Sequence, residues 1–277
     1  MHKVLLITAL FFAIACLSGC AEDTPEERIE AMRELVADEK YEKALKELWQ
    51  VIDQRPTDST VLYLGGRVFF GLTWFDSAVS YSKKLCALYP QNVAAYRLLY
   101  ESAGFIEDYK TQLWAISQLG YIEGNRSRYY YNIAELNFQL QDYGLAISTC
   151  DAILKTDPDN KSALFLKANS LASAGKIDSG ITILEILDRK YPGRVEILSN
   201  MASFYATKRD YPNSEFHFQQ ITEMFPDYVP GWYGLGNVRL KLADTLGARN
   251  AYGEVYARDS AFLGVDSILD AIAPKRF

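Results

Sequence analysis

Between Ser127 and Asn160 the apolar residues fall into two groups with a polar break between them. In the first group Tyr130, Ile133, Ala134 and Asn137 recur every three or four positions; in the second Ala146, Ile147, Cys150, Ile153 and Leu154 do the same. That period is one stripe of an α-helix, so the stretch predicts two helices. Gln141-Asp142-Tyr143 interrupts the stripe, with Asp142 placed to cap the second helix, and Asp157-Pro158-Asp159-Asn160 ends it because proline cannot continue a helix. A lone helical hairpin cannot cover its own apolar stripes, so the pattern calls for further hairpins on either side.

They are present. Pro56, Pro90, Pro158, Pro192 and Pro226 stand on one 34-residue ladder, with Gly124 and Ser260 on the remaining rungs. In Val229–Phe262, Trp232-x2-Leu235-Gly236 and Ala248-x3-Tyr252 mark the two helices; Ala44-x3-Leu48-x7-Pro56, Ala78-x3-Ser82-x7-Pro90 and Ser214-x3-Phe218-x7-Pro226 repeat the second half. This period and these motifs resemble the tetratricopeptide repeat (TPR) family. The resemblance implies an all-α TPR solenoid, a right-handed superhelix of about seven helix-turn-helix repeats. The units would run Pro25–Asp58, Ser59–Asn92, Val93–Arg126, Ser127–Asn160, Lys161–Arg194, Val195–Tyr228 and Val229–Phe262. Two departures stand out: Arg239 replaces a preferred aromatic, and Val93–Arg126 lacks both the small residue and the proline, so that the third repeat is expected to be distorted. Residues 263–277 hold Val265, Ile268, Leu269 and Ile272 at helical spacing and would form a capping helix and tail over the exposed end of the stack.

Ahead of the repeats, Lys3 and the apolar run Val4–Leu17 read as a targeting segment too short to span a membrane. Leu17-Ser18-Gly19-Cys20 resembles a bacterial lipobox, which implies removal of residues 1–19 and lipidation of Cys20, with residues 20–24 as a short linker. More than one acyl chain anchors stably where a single chain does not. By the same resemblance Ala21 is not the aspartate that retains such proteins in the inner membrane. The expected location is therefore the outer membrane, facing the periplasm; the acidic pair Glu22-Asp23 resembles a surface-export signal or the first turn of a helix.

Charge and chemistry narrow the function. The net charge of −6, with no lysine or arginine run, argues against nucleic acid. Cys86 and Cys150 lie on core stripes of repeats that are not neighbours, so they read as small core residues rather than a disulfide. His217 sits between Phe216 and Phe218 without a ligand or triad partner at a useful spacing, and Leu64-Gly65-Gly66-Arg67 and Leu235-Gly236 fall inside helices rather than in phosphate-binding loops. No catalytic, metal or cofactor signal emerges.

One face rises above this background. Tyr131, Glu135 and Phe138 share a side of the first helix next to its core stripe. Tyr63, Arg97, Phe165, Ser199 and Tyr233 are in register with Tyr131; Arg67, Glu101, Asn169, Ser203 and Asn237 with Glu135; Phe70 with Phe138. In TPR proteins this face lines the concave groove, and rings interleaved with guanidinium, amide and carboxylate groups suit a peptide. The expected function is a non-enzymatic, lipid-anchored scaffold that binds a protein or peptide partner in the cell envelope. It is similar in lipobox and repeats to lipoproteins that assist envelope-complex assembly. The alternative is capture of a small molecule or glycan on the aromatic groove, and a further alternative is that the same rings only pack first helix against first helix. The anchor is testable directly: Cys20→Ala should abolish palmitate incorporation and move the protein from the membrane to the soluble fraction, and equal partitioning of both forms would refute it.

Overall fold

Each helical pair is closed by one residue in the left-handed region. In the computed structural model, which describes residues 23–273, Glu39, Thr73, Glu107, Gln141, Gly175, Arg209 and Ala243 all have φ between 55° and 81°. They stand 34 residues apart, on a ladder of their own. Immediately after each, the next backbone N–H donates back to the carbonyl five residues earlier, as in Lys40 to Leu35, Asp142 to Asn137 and Asp244 to Arg239, at 2.8–2.9 Å. This Schellman closure satisfies a carbonyl the first helix would otherwise leave open and reverses the chain into the second. Asp108, Asp142, Asp210 and Asp244 then cap the second helices through their carboxylates.

Fifteen α-helices and no strand occur among the described residues. They form two compact units, one ending at Arg126 and one beginning at Ser127. The first unit holds α1 (Pro25–Ala37), α2 (Tyr41–Val51), α3 (Ser59–Gly71), α4 (Phe75–Leu88), α5 (Val93–Phe105) and α6 (Tyr109–Ile122). The second holds α7 (Tyr130–Gln139), α8 (Tyr143–Thr156), α9 (Lys161–Ser173), α10 (Ile177–Lys190), α11 (Val195–Thr207), α12 (Tyr211–Met224), α13 (Val229–Lys241), α14 (Thr245–Arg258) and α15 (Val265–Ala271). Within each unit every first helix packs on its own second helix, and the second helix on the first helix of the next pair. Residues 1–22, with the leader and Cys20, and the tail 274–277 lie outside the described residues.

The residue that lets two helices meet is also periodic. Ala44, Ala78, Ala146, Gly180, Ser214 and Ala248 are buried one turn into each second helix. A Cβ on Gly180 would come within 2.9 Å of the Ala168 carbonyl, and the Ser214 hydroxyl donates to the Ala202 carbonyl at 2.7 Å. Nothing larger fits without a compensating gap. The glycines Gly65, Gly66 and Gly236 serve the same closeness: a Cβ there would meet Tyr81, Leu98 or Tyr252 at 2.7–2.8 Å.

The expected distortion of the third repeat is not found in its helices. Gln112 occupies the small-residue position, and its amide donates to the Tyr100 carbonyl at 3.2 Å. It fits because Gly104 faces it, where a Cβ would lie 2.7 Å from the Gln112 nitrogen. The irregularity comes afterwards. Where Tyr89, Asp157, Tyr191 and Phe225 leave the helical region before a ladder proline, with φ near −131° to −136° and ψ of 66–83°, Glu123 stays helical and Gly124 turns with φ 64°. A 3-10 turn, Arg126–Tyr129, follows, so that α7 starts at Tyr130, later than the repeat spacing implies. Two further expectations need correction. Ile133 and Ile153 are half-buried rather than core. The capping helix is shorter than its apolar pattern: Gly264 has φ 67° behind a 3-10 turn, and only Val265–Ala271 is helical, with buried Val265 set against Ala248, Tyr252 and Val255.

Cys86 and Cys150 are free and buried. Burial pushes their thiols up to about 12 and about 11, so neither supplies thiolate at neutral pH. Both should resist a thiol reagent in the folded protein and react fully after denaturation without reductant.

The closing turns allow a sharp stability test. Thr73 is β-branched at φ 62°, so Thr73→Gly should stabilise by about 1 kcal/mol, whereas Gly175→Ala should cost about 1 kcal/mol from conformation alone, because open space surrounds Gly175. Leu184, fully buried in the second unit, should cost about 2–5 kcal/mol as Leu184→Ala, and half-buried Ile153→Ala less. Urea unfolding of the four variants checks the order.

Candidate functional site in the first unit

The first helices α1, α3 and α5 pack side by side in the first unit. Four residues per step is close to one helical turn, so half-buried Tyr63 and Arg67 share one side of α3, and exposed Arg97 and Glu101 share one side of α5. The structure brings all four together. With Val93, Ala94 and Leu98 they line a pocket of about 380 Å³. A second pocket of about 350 Å³, bounded by Arg33, Ser59, Thr60, Leu64 and Asn92, shares Tyr63 and Ala94 with it. The two make one groove from α1 to α5.

Its floor and rim have different origins. Leu64 and Leu98 are buried, and Tyr63 packs its ring against the core formed by α1–α4 while keeping a half-exposed edge. Above them stand three guanidinium groups. Arg67 makes no ion pair among the described residues. Arg97 is held by Glu123 at 2.8 Å, and Arg33 pairs with Glu30 at 3.3 Å on its own helix, an exposed contact worth a few tenths of a kcal/mol. Sequence reasoning missed Arg33, Val93, Ala94 and Leu98. Arg33 was within reach of it, since it stands one 34-residue step before Arg67.

The remaining residues of the predicted face do other work. Phe70 packs edge-on against Phe75 and Phe105, which stack on one another at 4.4 Å. Tyr131 is exposed, and partial burial with the nearby Glu135 carboxylate raises its phenol above the usual range. Phe138 packs on Ala134, Cys150 and Leu166 and meets the Tyr143 ring at 5.5 Å. Phe165 is half-buried against the α9–α11 core, with the Lys161 ammonium 5.7 Å from its ring; Asn169 is half-buried and Ser203 exposed. The Ser199 hydroxyl is buried without a partner. Tyr233 is wedged edge-on between Tyr252 and Phe262. Asn237 accepts a hydrogen bond from the Tyr252 hydroxyl at 2.8 Å, and burial pushes that phenol up to about 12. In the second unit, therefore, much of the face is occupied by intramolecular packing.

Arg239, where an aromatic was expected, is accounted for by three neighbours. Its side chain donates to Glu215 at 2.8 Å and to the Gly247 carbonyl at 3.3 Å, with Asp244 at 4.0 Å, tying α12, α13 and the start of α14. Burial holds the His217 imidazole below its ordinary range; the ring stacks on Tyr205 at 5.6 Å, and Nδ1 lies 3.1 Å from the Gln220 amide oxygen. No group of three or more His, Cys, Asp or Glu side chains arranged for a metal occurs among the described residues. No helix among them is long and apolar enough to cross a membrane.

Comparison with known proteins agrees with this architecture. Residues 131–195 match the tetratricopeptide repeat family. A tetratricopeptide repeat protein from Parabacteroides merdae is similar over 90% of this chain and 99% of its own, at 15% identity and a TM-score of 0.56. The C-terminal part of a TPR repeat-containing protein from Cytophaga hutchinsonii is similar over 86% and 98%, at 10% identity and a TM-score of 0.61. A segment of MamA from Desulfovibrio magneticus covers 62% of this chain and 97% of its own, at 16% identity and a TM-score of 0.53. No curated protein matches the sequence. Residues 131–195 are thus tetratricopeptide repeat sequence, and the helical pairs of both units have the fold of tetratricopeptide repeat proteins.

Proposed function

We propose that the chain is a non-enzymatic scaffold, anchored through a lipid on Cys20 in the bacterial cell envelope, that holds a peptide segment of a protein partner in the groove of its first unit. TPR repeat proteins generally act as protein-interaction scaffolds. The observation that carries the reading is the continuous groove from Arg33 to Glu101, in which one half-exposed ring and three guanidinium groups stand above a buried leucine floor. An apolar floor with a few polar groups at fixed positions is what a bound segment needs for both area and orientation. The glycan alternative loses support because Phe138, Phe165 and Tyr233 pack on neighbouring side chains, which leaves Tyr63 as the ring at this groove. The lipobox resemblance of Leu17-Ser18-Gly19-Cys20 supports the anchor and, with it, the envelope.

A photo-crosslinking residue at Ala94, on the groove wall, should capture a discrete partner in whole envelopes. Truncating Tyr63 to alanine should remove that adduct and cost on the order of 2 kcal/mol of affinity, roughly thirtyfold. Arg67→Ala should weaken binding while keeping Tm near wild type, since Arg67, though half-buried, holds no ion pair among the described residues and such a substitution changes stability by about 0.5 kcal/mol or less. An adduct unaffected by Tyr63→Ala would move the binding site elsewhere.

A further inference from the structure

Two tryptophans of the first unit lie half in solvent around one buried ring. Trp49 on α2 and Trp74 just before α4 are 53% and 51% exposed, and the Phe69 ring of α3 stands 6.0 Å from one and 5.9 Å from the other. Tyr81 on α4 closes on the same ring at 5.0 Å. Single exposed apolar side chains are ordinary on a protein surface, whereas a contiguous apolar patch calls for a surface to cover it. Neither indole N–H donates a hydrogen bond among the described residues, whereas Trp232 donates to the Pro226 carbonyl at 2.8 Å. Trp114, exposed on α6 against Tyr96, stands outside this cluster. None of the four clustered rings lines the groove.

From this patch and the place where α1 begins, we propose that Trp49 and Trp74 seat the first unit on the headgroup region of the bilayer that holds the anchor. The inference rests on the lipid-anchor reading above and adds the surface that meets the membrane. The step from Cys20 to Pro25 is five residues and spans at most about 18 Å. The start of α1 is fixed beside Trp49: Arg28 in its first turn pairs at 3.0 Å with Glu47, two residues before the tryptophan, and Glu26 pairs with Arg55. Acyl chains on Cys20 therefore enter the bilayer within reach of the patch, and the rings meet lipid at little further loss of freedom. An indole suits that depth, because its ring is apolar and its N–H finds water and headgroup oxygens. Lys46 stands one turn before Trp49, but Asp53 one turn after it and Asp76 beside Trp74 oppose it. The contact is thus apolar and does not depend on anionic lipid.

The lipidated full-length chain, reconstituted in vesicles of phosphatidylcholine brominated near the top of its acyl chains, tests this, since bromine quenches an indole on contact. Tryptophan emission should lie at shorter wavelength than in detergent-free buffer for the Cys20→Ala form, and should be quenched relative to unbrominated vesicles. The double variant Trp49→Phe/Trp74→Phe should lose most of that quenching, while Trp114→Phe/Trp232→Phe should keep it. Phenylalanine preserves a ring against Phe69, so the first double variant should unfold near the wild-type Tm. Flotation with the vesicles but no quenching, or equal quenching in the two double variants, would overturn the membrane contact while leaving the anchor standing, and would give the rings to a protein partner or a second copy. A chain that does not float with the vesicles would overturn the anchor and this orientation with it.

Discussion

The structure depends on one backbone constraint. A helical pair forms because the chain turns through a left-handed residue and donates one hydrogen bond back into the helix it has just left, and this happens at the same place in every pair. For L-residues that conformation costs about 1–2 kcal/mol, yet only one of the seven positions, Gly175, is a glycine. The other six adopt it because the helices on either side meet at a small or specially accommodated residue and hold the turn in place. Local strain and tertiary contact are coupled in each repeat, so neither closes the hairpin alone.

That coupling separates two kinds of surface on the first helices. The side that meets the second helix is mostly set by size: Gly66, Ala134, Ala168, Ala202 and Gly236 stand there, with Tyr100 in the third pair, and a Cβ on Gly66 or Gly236 would already collide. The adjoining side is free to differ, and it does. In the first unit it remains open as a groove with an arginine that has no internal ion partner. In the second unit the same register carries Phe138, Phe165, Tyr233 and Asn237, and neighbouring side chains take up their rings and amide. One repeat pattern thus leaves an open groove in one place and extra packing in another.

Much of the fold was legible in the sequence because prolines, small residues and apolar stripes are read directly from residue type. The proline ladder marks the breaks between pairs, and the register of first-helix positions points to Tyr63, Arg67, Arg97 and Glu101 from residue type alone. What was not legible depended on partners distant in sequence. That Gln112 can replace alanine follows from Gly104 opposite it. That Asn237 is tied down follows from a tyrosine fifteen residues later. The closing residues escaped notice for a different reason: Glu39, Thr73, Glu107, Gln141, Arg209 and Ala243 share a conformation but no side-chain chemistry.

The central claim is that one register position binds a partner in the first unit and braces the fold in the second. The most direct measurement is affinity for the crosslinked partner, with Tm alongside, for Arg67→Ala and Asn237→Ala. Arg67→Ala should lose affinity at an unchanged Tm. Asn237→Ala should keep affinity and lower Tm, because the buried Tyr252 hydroxyl is left without its acceptor. The opposite pattern, with affinity lost at Asn237 and stability lost at Arg67, would contradict the account.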